Sequence, residues 1–220
     1  MTTESLQLLG VDSGTLPPMG FQLPVGLHTV EVSLDAEERA TAVTQLVRDI
    51  YPLGEEPLWD VMSATYSAMA DEMLSNGVSF FGIGLYDIGN RGVAHCALTV
   101  AVFESDQTDQ DVVAHGTLKI LSQDRVRDVR WLDLPCGPAV SAISLRSLLV
   151  DGKFTRDGTD QELLMGQIQV HVPFSTGPYT AVFTLDTASM DQWDDFSRAM
   201  ADIVRSVDFN AIPPQDGQSE

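Results

Sequence analysis

Lysine is nearly missing from this 220-residue chain: Lys119 and Lys153 are the only two. Lysine and arginine together number 12, against 32 aspartates and glutamates, which leaves a formal net charge of -20. Nucleic-acid affinity rests largely on Lys and Arg neutralising phosphates, so this balance speaks against DNA or RNA as a partner. It equally repels anionic lipid headgroups, which argues against a membrane surface. Arg125, Arg127 and Arg130 form the one basic cluster, but Asp124 and Asp128 interleave it, as on a solvated strand edge. The better guess for a partner is another protein, met through a basic surface.

Long apolar runs are also missing. No stretch reaches the roughly 18 residues that suggest a membrane helix. The N-terminus MTTESLQLLG has no basic region, and the first positive side chain is Arg39, so no signal peptide is read there. Cytoplasmic residence is the expectation. The two cysteines, Cys96 and Cys136, cannot build a disulfide framework.

Motifs that carry chemistry are absent in turn. There is no P-loop, no Gly-x-Ser-x-Gly elbow and no His-Glu-x-x-His pair. The run Gly82-Ile-Gly84-Leu-Tyr-Asp87 begins like a dinucleotide fingerprint, then lacks the third glycine and the following helix. Asp151–Glu162 mimics a calcium loop, but Arg156 stands where glycine is required and Lys153 where a ligand belongs. It reads as a solvated hairpin loop. His28, His95, His115 and His171 show no metal-ligand spacing. Cys136 sits at a corner without a local cation to lower its pKa, and Cys96 shares a strand face with Leu98, Val100 and Val102. No catalytic residue, metal or cofactor is expected.

What the sequence does contain is the pattern of a globular core, with 44% hydrophobic residues spread along its length. Residues 1–26, with Gly10, Gly14, Pro17, Pro18, Gly20 and Pro24 among them, read as an irregular lead-in. Residues 27–210 read as one domain, and 211–220 as a disordered tail. Strands are expected at Leu27–Ser33, Val78–Tyr86, Val93–Phe103, Val126–Leu134, Ala139–Val150, Leu163–Val172 and Tyr179–Asp186, from alternation between turn signals. Helices are expected from Asp35, over Glu56–Ser75, over Asp111–Leu121 and from about Ser189. The strands are joined mostly by short turns. That predicts an α+β fold, a mainly antiparallel sheet flanked by helices.

One surface is less bland. Along Leu163–Val172 one face carries Gln167, Gln169 and His171. His95 and Thr99 share a face of Val93–Phe103, and Thr184 and Asp186 share one of Tyr179–Asp186. If these faces coincide, the sheet has a semi-polar side. A solvated face is the default reading. The functional reading is a binding face formed by His95, Thr99, Gln167, Gln169 and His171.

The second half also carries a resemblance. Val129-Arg-Trp-Leu-Asp-Leu-Pro-Cys-Gly-Pro-Ala-Val140 leads into a strand, followed by Gln167-Ile-Gln-Val-His-Val-Pro-Phe174 and Tyr179-Thr-Ala-Val-Phe-Thr-Leu-Asp-Thr187. A helix ending Ile203-Val-Arg-Ser-Val-Asp-Phe209 closes the pattern. Residues 125–210 resemble a family of uncharacterised actinobacterial proteins and are similar to PsbP-like domains, whose members include lipoproteins and a nuclear-import cofactor that binds a small GTPase. The resemblance implies α/β/α layering and a role usually without catalysis, and it transfers no catalytic residues. A lipoprotein role conflicts with the missing lipobox cysteine. The leading expectation is therefore a soluble, non-enzymatic accessory or protein-interaction domain. The alternatives are a small-ligand-binding protein or enzyme using the semi-polar face, and a secretion-system accessory factor.

Overall fold

The computed structural model describes residues 5–9, 16–30, 32, 35–89, 92–150, 152 and 157–211. Within them the chain begins with strands β1 (Ser5–Leu9), β2 (Met19–Leu23) and β3 (Leu27–Val30). Helices α1 (Ala36–Ile50) and α2 (Glu56–Ser75) follow, then strands β4 (Val78–Asp87) and β5 (Val93–Glu104). Helix α3 (Gln110–Leu121) precedes β6 (Asp128–Leu134), β7 (Gly137–Val150), β8 (Gln161–Pro173) and β9 (Tyr179–Thr187). A short 3-10 turn at Met190–Gln192 leads into α4 (Trp193–Arg205).

Local chemistry explains the boundaries. Asp35 caps α1, its carboxylate accepting from the Glu37 and Glu38 backbone N–H groups at 2.9 and 3.0 Å. Asp109 does the same for α3. Gly77 follows α2 with φ +73°, the left-handed conformation that glycine adopts without steric cost. Arg39, nearly buried on α1, bonds Asp71 of α2 at 3.1 Å and ties the two helices together.

Seven strands form one sheet in the order β3-β4-β5-β9-β8-β7-β6, and every neighbouring pair is antiparallel. The fold is α+β, with helices on both faces. One face packs on α4, whose Phe196, Met200, Ile203 and Val204 are buried against Leu98, Val170, Phe183 and their neighbours. Each such side chain contributes on the order of 1.5–3 kcal/mol by leaving water. On the other face, α1 and α2 cover β3 and β4 around Val43, Val47, Tyr66 and Phe81. At the far end of that face α3 lies over β6–β8, where its His115 stacks on Trp131 of β6 at 4.6 Å.

The lead-in is not irregular where it is described. β1 and β2 pair as an antiparallel two-stranded sheet, and Met19, Phe21 and Leu23 are buried in the α4 layer. Phe21 meets Phe80 and Phe183 edge-on, at 5.2 and 5.3 Å between centroids. Gly20 exchanges backbone bonds of 2.8 and 2.9 Å with Asp208 beyond α4. The core of the domain therefore includes residues before Leu27. The expected tail at 211–220 lies outside the described residues beyond Ala211, as does much of the Asp151–Glu162 loop.

Gly166 on β8 shows how closely α4 is set. A Cβ there would overlap the Trp193 ring and come within 3.1 Å of Met190 Sδ. Gly166→Ala is expected to destabilise the domain by about 1–3 kcal/mol, because a ring packed at a helix start cannot yield like a flexible chain end. Urea unfolding measures this; an unchanged midpoint would show that Trp193 is free to move.

Candidate functional site

Register decides whether the predicted semi-polar face exists. Thr99 of β5 pairs with Thr184 of β9, which pairs with Gln169 of β8. One row along, Ala97 pairs with Asp186, and Asp186 with Gln167. His171 pairs with Val182, and Val182 lies two positions from Thr184 on the same face. His95, Thr99, Gln167, Gln169 and His171 therefore share one face, the one that carries α1–α3.

The five do not converge. On β5 the position level with His171 is Ala101, six residues from His95, or about 20 Å along the strands. His171 belongs to the row of Val140 and Trp131, beneath α3. It is largely buried, and among the described residues its Nε2 finds no hydrogen-bond partner. Burial, and secondarily the Arg127 charge, lower its pKa from 6.5 to about 4. It is a core histidine kept neutral. A joint site around His95, Gln167 and His171 is thus corrected to two separate places, with only His95 and Gln167 at the same end.

At that end the helices stand off the sheet and leave a cleft of about 670 Å³. Ile50 and Tyr51 from the end of α1, with Tyr66 and Met69 of α2, form one wall. Ile83, Leu85, His95 and Ala97 form the sheet floor, and Met165 and Asp186 the side nearest β8 and β9. The lining is mainly apolar, with a few polar groups at defined places, the usual build of a small-molecule site.

Those polar groups are individually fixed. The Tyr51 and Tyr66 hydroxyls bond each other at 3.2 Å. Burial, then that bond, push the Tyr66 phenol above its ordinary pKa, so it stays protonated. Asp186 Oδ1 accepts from Arg146 at 2.9 Å and from Gln167 at 3.0 Å. Ser189 Oγ accepts from the His95 backbone N–H at 3.1 Å and lies 3.4 Å from its Nδ1. Thr187 Oγ1 donates to the His95 carbonyl at 2.6 Å. These bonds close the β9–α4 connection onto β5 and orient the imidazole. Ser189 Oγ takes the backbone bond through a lone pair, so its hydroxyl proton stays on the side of the His95 ring.

Both thiols are shifted away from the thiolate form. Burial pushes Cys96 up to about 12, and burial raises Cys136 as well. Among the described residues no three His, Cys, Asp or Glu side chains are grouped to hold a metal. No helix among them is long and apolar enough to cross a membrane.

A second surface feature was not read from the sequence. β6 last pairs with β7 at Ile143, and β9 last pairs with β8 at Gly166. Beyond those points, among the described residues, β7 and β8 pair only with each other, as a two-stranded arm leaving the sheet. Leu145, Leu148, Leu149, Leu163 and Leu164 lie on it, between 38% and 69% exposed. Solvated arms are normally polar, so leucine on both faces is unusual.

Of the cleft residues, Tyr51 and Tyr66 had no sequence signal as site residues, since Tyr66 reads as helix packing; nor had Arg146 behind them, which reads as an ordinary strand charge. No family model matches the chain, and no curated protein is significantly similar to it.

Proposed function

We propose that this chain is a non-enzymatic binding domain that holds a small, largely apolar molecule in the cleft between α1–α2 and the sheet. The 670 Å³ cleft carries this reading, because it is large enough for a ligand and is walled by Met69, Ile83, Leu85 and Ala97 around a few fixed polar groups. A PsbP-like relationship of residues 125–210, with its usually non-catalytic role, fits the same reading. N-phenyl-1-naphthylamine, a neutral apolar dye whose emission rises out of water, is a direct probe. Saturable binding at one site per chain is expected; a linear, non-saturating response would refute the reading.

The arm favours a second role, contact with another protein. Its leucines lie outside the core, so Leu148→Ser, Leu149→Ser and Leu163→Ser should each change stability by only about 0.5 kcal/mol. A protein retained from the native extract by the wild type and lost from the triple variant would mark the arm as its docking site. Identical captures by both would remove the arm from consideration. With a chain at -20, a partner with a basic surface is favoured. An accessory role in a larger assembly, a secretion system among them, would use the same arm.

A further inference from the structure

The charges around the cleft narrow the ligand class, an inference that rests on the cleft being a ligand site. Among the described residues Asp87 and Asp186 line it, and neither lysine nor arginine does; the other titratable side chains among them are Tyr51, Tyr66, His95 and Cys96. Arg146 lies behind the lining and bonds Asp186, but its bond and that of Gln167 both fall on Oδ1. Oδ2 of Asp186 accepts from neither. Asp186 is partly buried, and a charge held near low-dielectric walls acts more strongly than one in open water. The whole chain adds a field of the same sign.

We infer that the cleft selects an apolar ligand carrying an ammonium group, with the ammonium donating to Asp186 Oδ2 and the hydrocarbon lying against Met69, Ile83 and Leu85. A carboxylate or phosphate of the same hydrocarbon would instead meet two carboxylates, with no lysine or arginine among the described lining residues.

Displacement of N-phenyl-1-naphthylamine by decylamine, decanol and decanoate at pH 7.5 separates the possibilities, because the three share one chain length. Decylamine is expected to displace the dye at about a tenfold lower concentration than decanoate, with decanol between them. Asp186→Asn should compress that ratio severalfold. Asp87→Asn, at an exposed position whose bond to the Gly89 N–H an amide can keep, should compress it less. Raising the salt to 0.5 M should also narrow it for groups that solvent reaches. If the dye binds and decanoate displaces it as well as decylamine, the charge selection is wrong while the cleft remains a ligand site. If the ratio is large but both variants keep it, the selectivity does not come from these carboxylates and the inference fails. If the dye does not bind, the underlying reading fails and the inference with it.

Discussion

Ala97→Trp is expected to lower the affinity for N-phenyl-1-naphthylamine at least tenfold while leaving the fold intact. Ala97 lies on the floor of the cleft, with Ile83 beside it on β4 and Asp186 on β9. Its side chain points into the space under α2, so an indole there occupies the volume a ligand would use. Small-to-large changes in a packed core cost about 1–3 kcal/mol because neighbours must move. Here about 670 Å³ is available, so that cost should largely be avoided. A tenfold loss is about 1.4 kcal/mol of binding free energy. Leu145→Ser, on the arm, is the control and should leave dye binding unchanged. Equal affinity in wild type and Ala97→Trp would place the dye elsewhere.

The second large effect is on stability against pH. His171 is held neutral in the folded domain, with a pKa lowered from 6.5 to about 4, chiefly by burial. The unfolded chain takes up a proton below about 6.5, and the folded chain resists until about 4. The contribution of this group is therefore complete above pH 6.5 and is lost as the pH falls from 6.5 towards 4. The full span is about 3 kcal/mol, of which about 2 kcal/mol lies between pH 7 and pH 5. That range stays above the isoelectric point of 4.2. Carboxylates also begin to titrate towards its lower end, so the informative quantity is the difference from His171→Leu. The leucine removes both the titration and the orphaned Nε2, so at pH 7.5 the variant should be no less stable than wild type. From pH 7 to pH 5 it should lose about 2 kcal/mol less in urea unfolding. Parallel curves for the two proteins would show that His171 is hydrated or paired in solution.

Much of the fold was legible, because the signals were local. The break at Pro52 and Gly54 and the stripe from Trp59 to Met73 place α2 at Glu56–Ser75, where it is observed. Alternation placed all seven strands of the main sheet. The β1–β2 pair was missed because Pro17, Pro18, Gly20 and Pro24 obscure the alternation of Met19, Phe21 and Leu23. Gly20 itself answers to a distant neighbour: a Cβ there would come within 2.6 Å of Ala211. At the site, alternation put five residues on one face but could not say which strands are adjacent. β5 pairs with β9 across about 80 residues of chain, and that long-range choice separates His171 from His95. The wall of the cleft comes from α1 and α2, whose stand-off from the sheet depends on tertiary packing and leaves no trace in a single helix pattern.

The most direct measurement uses the methionine methyl groups, labelled with carbon-13 and followed by NMR during titration with N-phenyl-1-naphthylamine. Met69 and Met165 line the cleft, whereas Met19 and Met200 are buried in the α4 layer on the opposite face of the sheet. Saturable shifts at Met69 and Met165, with Met19 and Met200 unmoved, are the expected result. Shifts confined to other methionines, or none while the dye fluoresces, would contradict a ligand site between α1–α2 and the sheet.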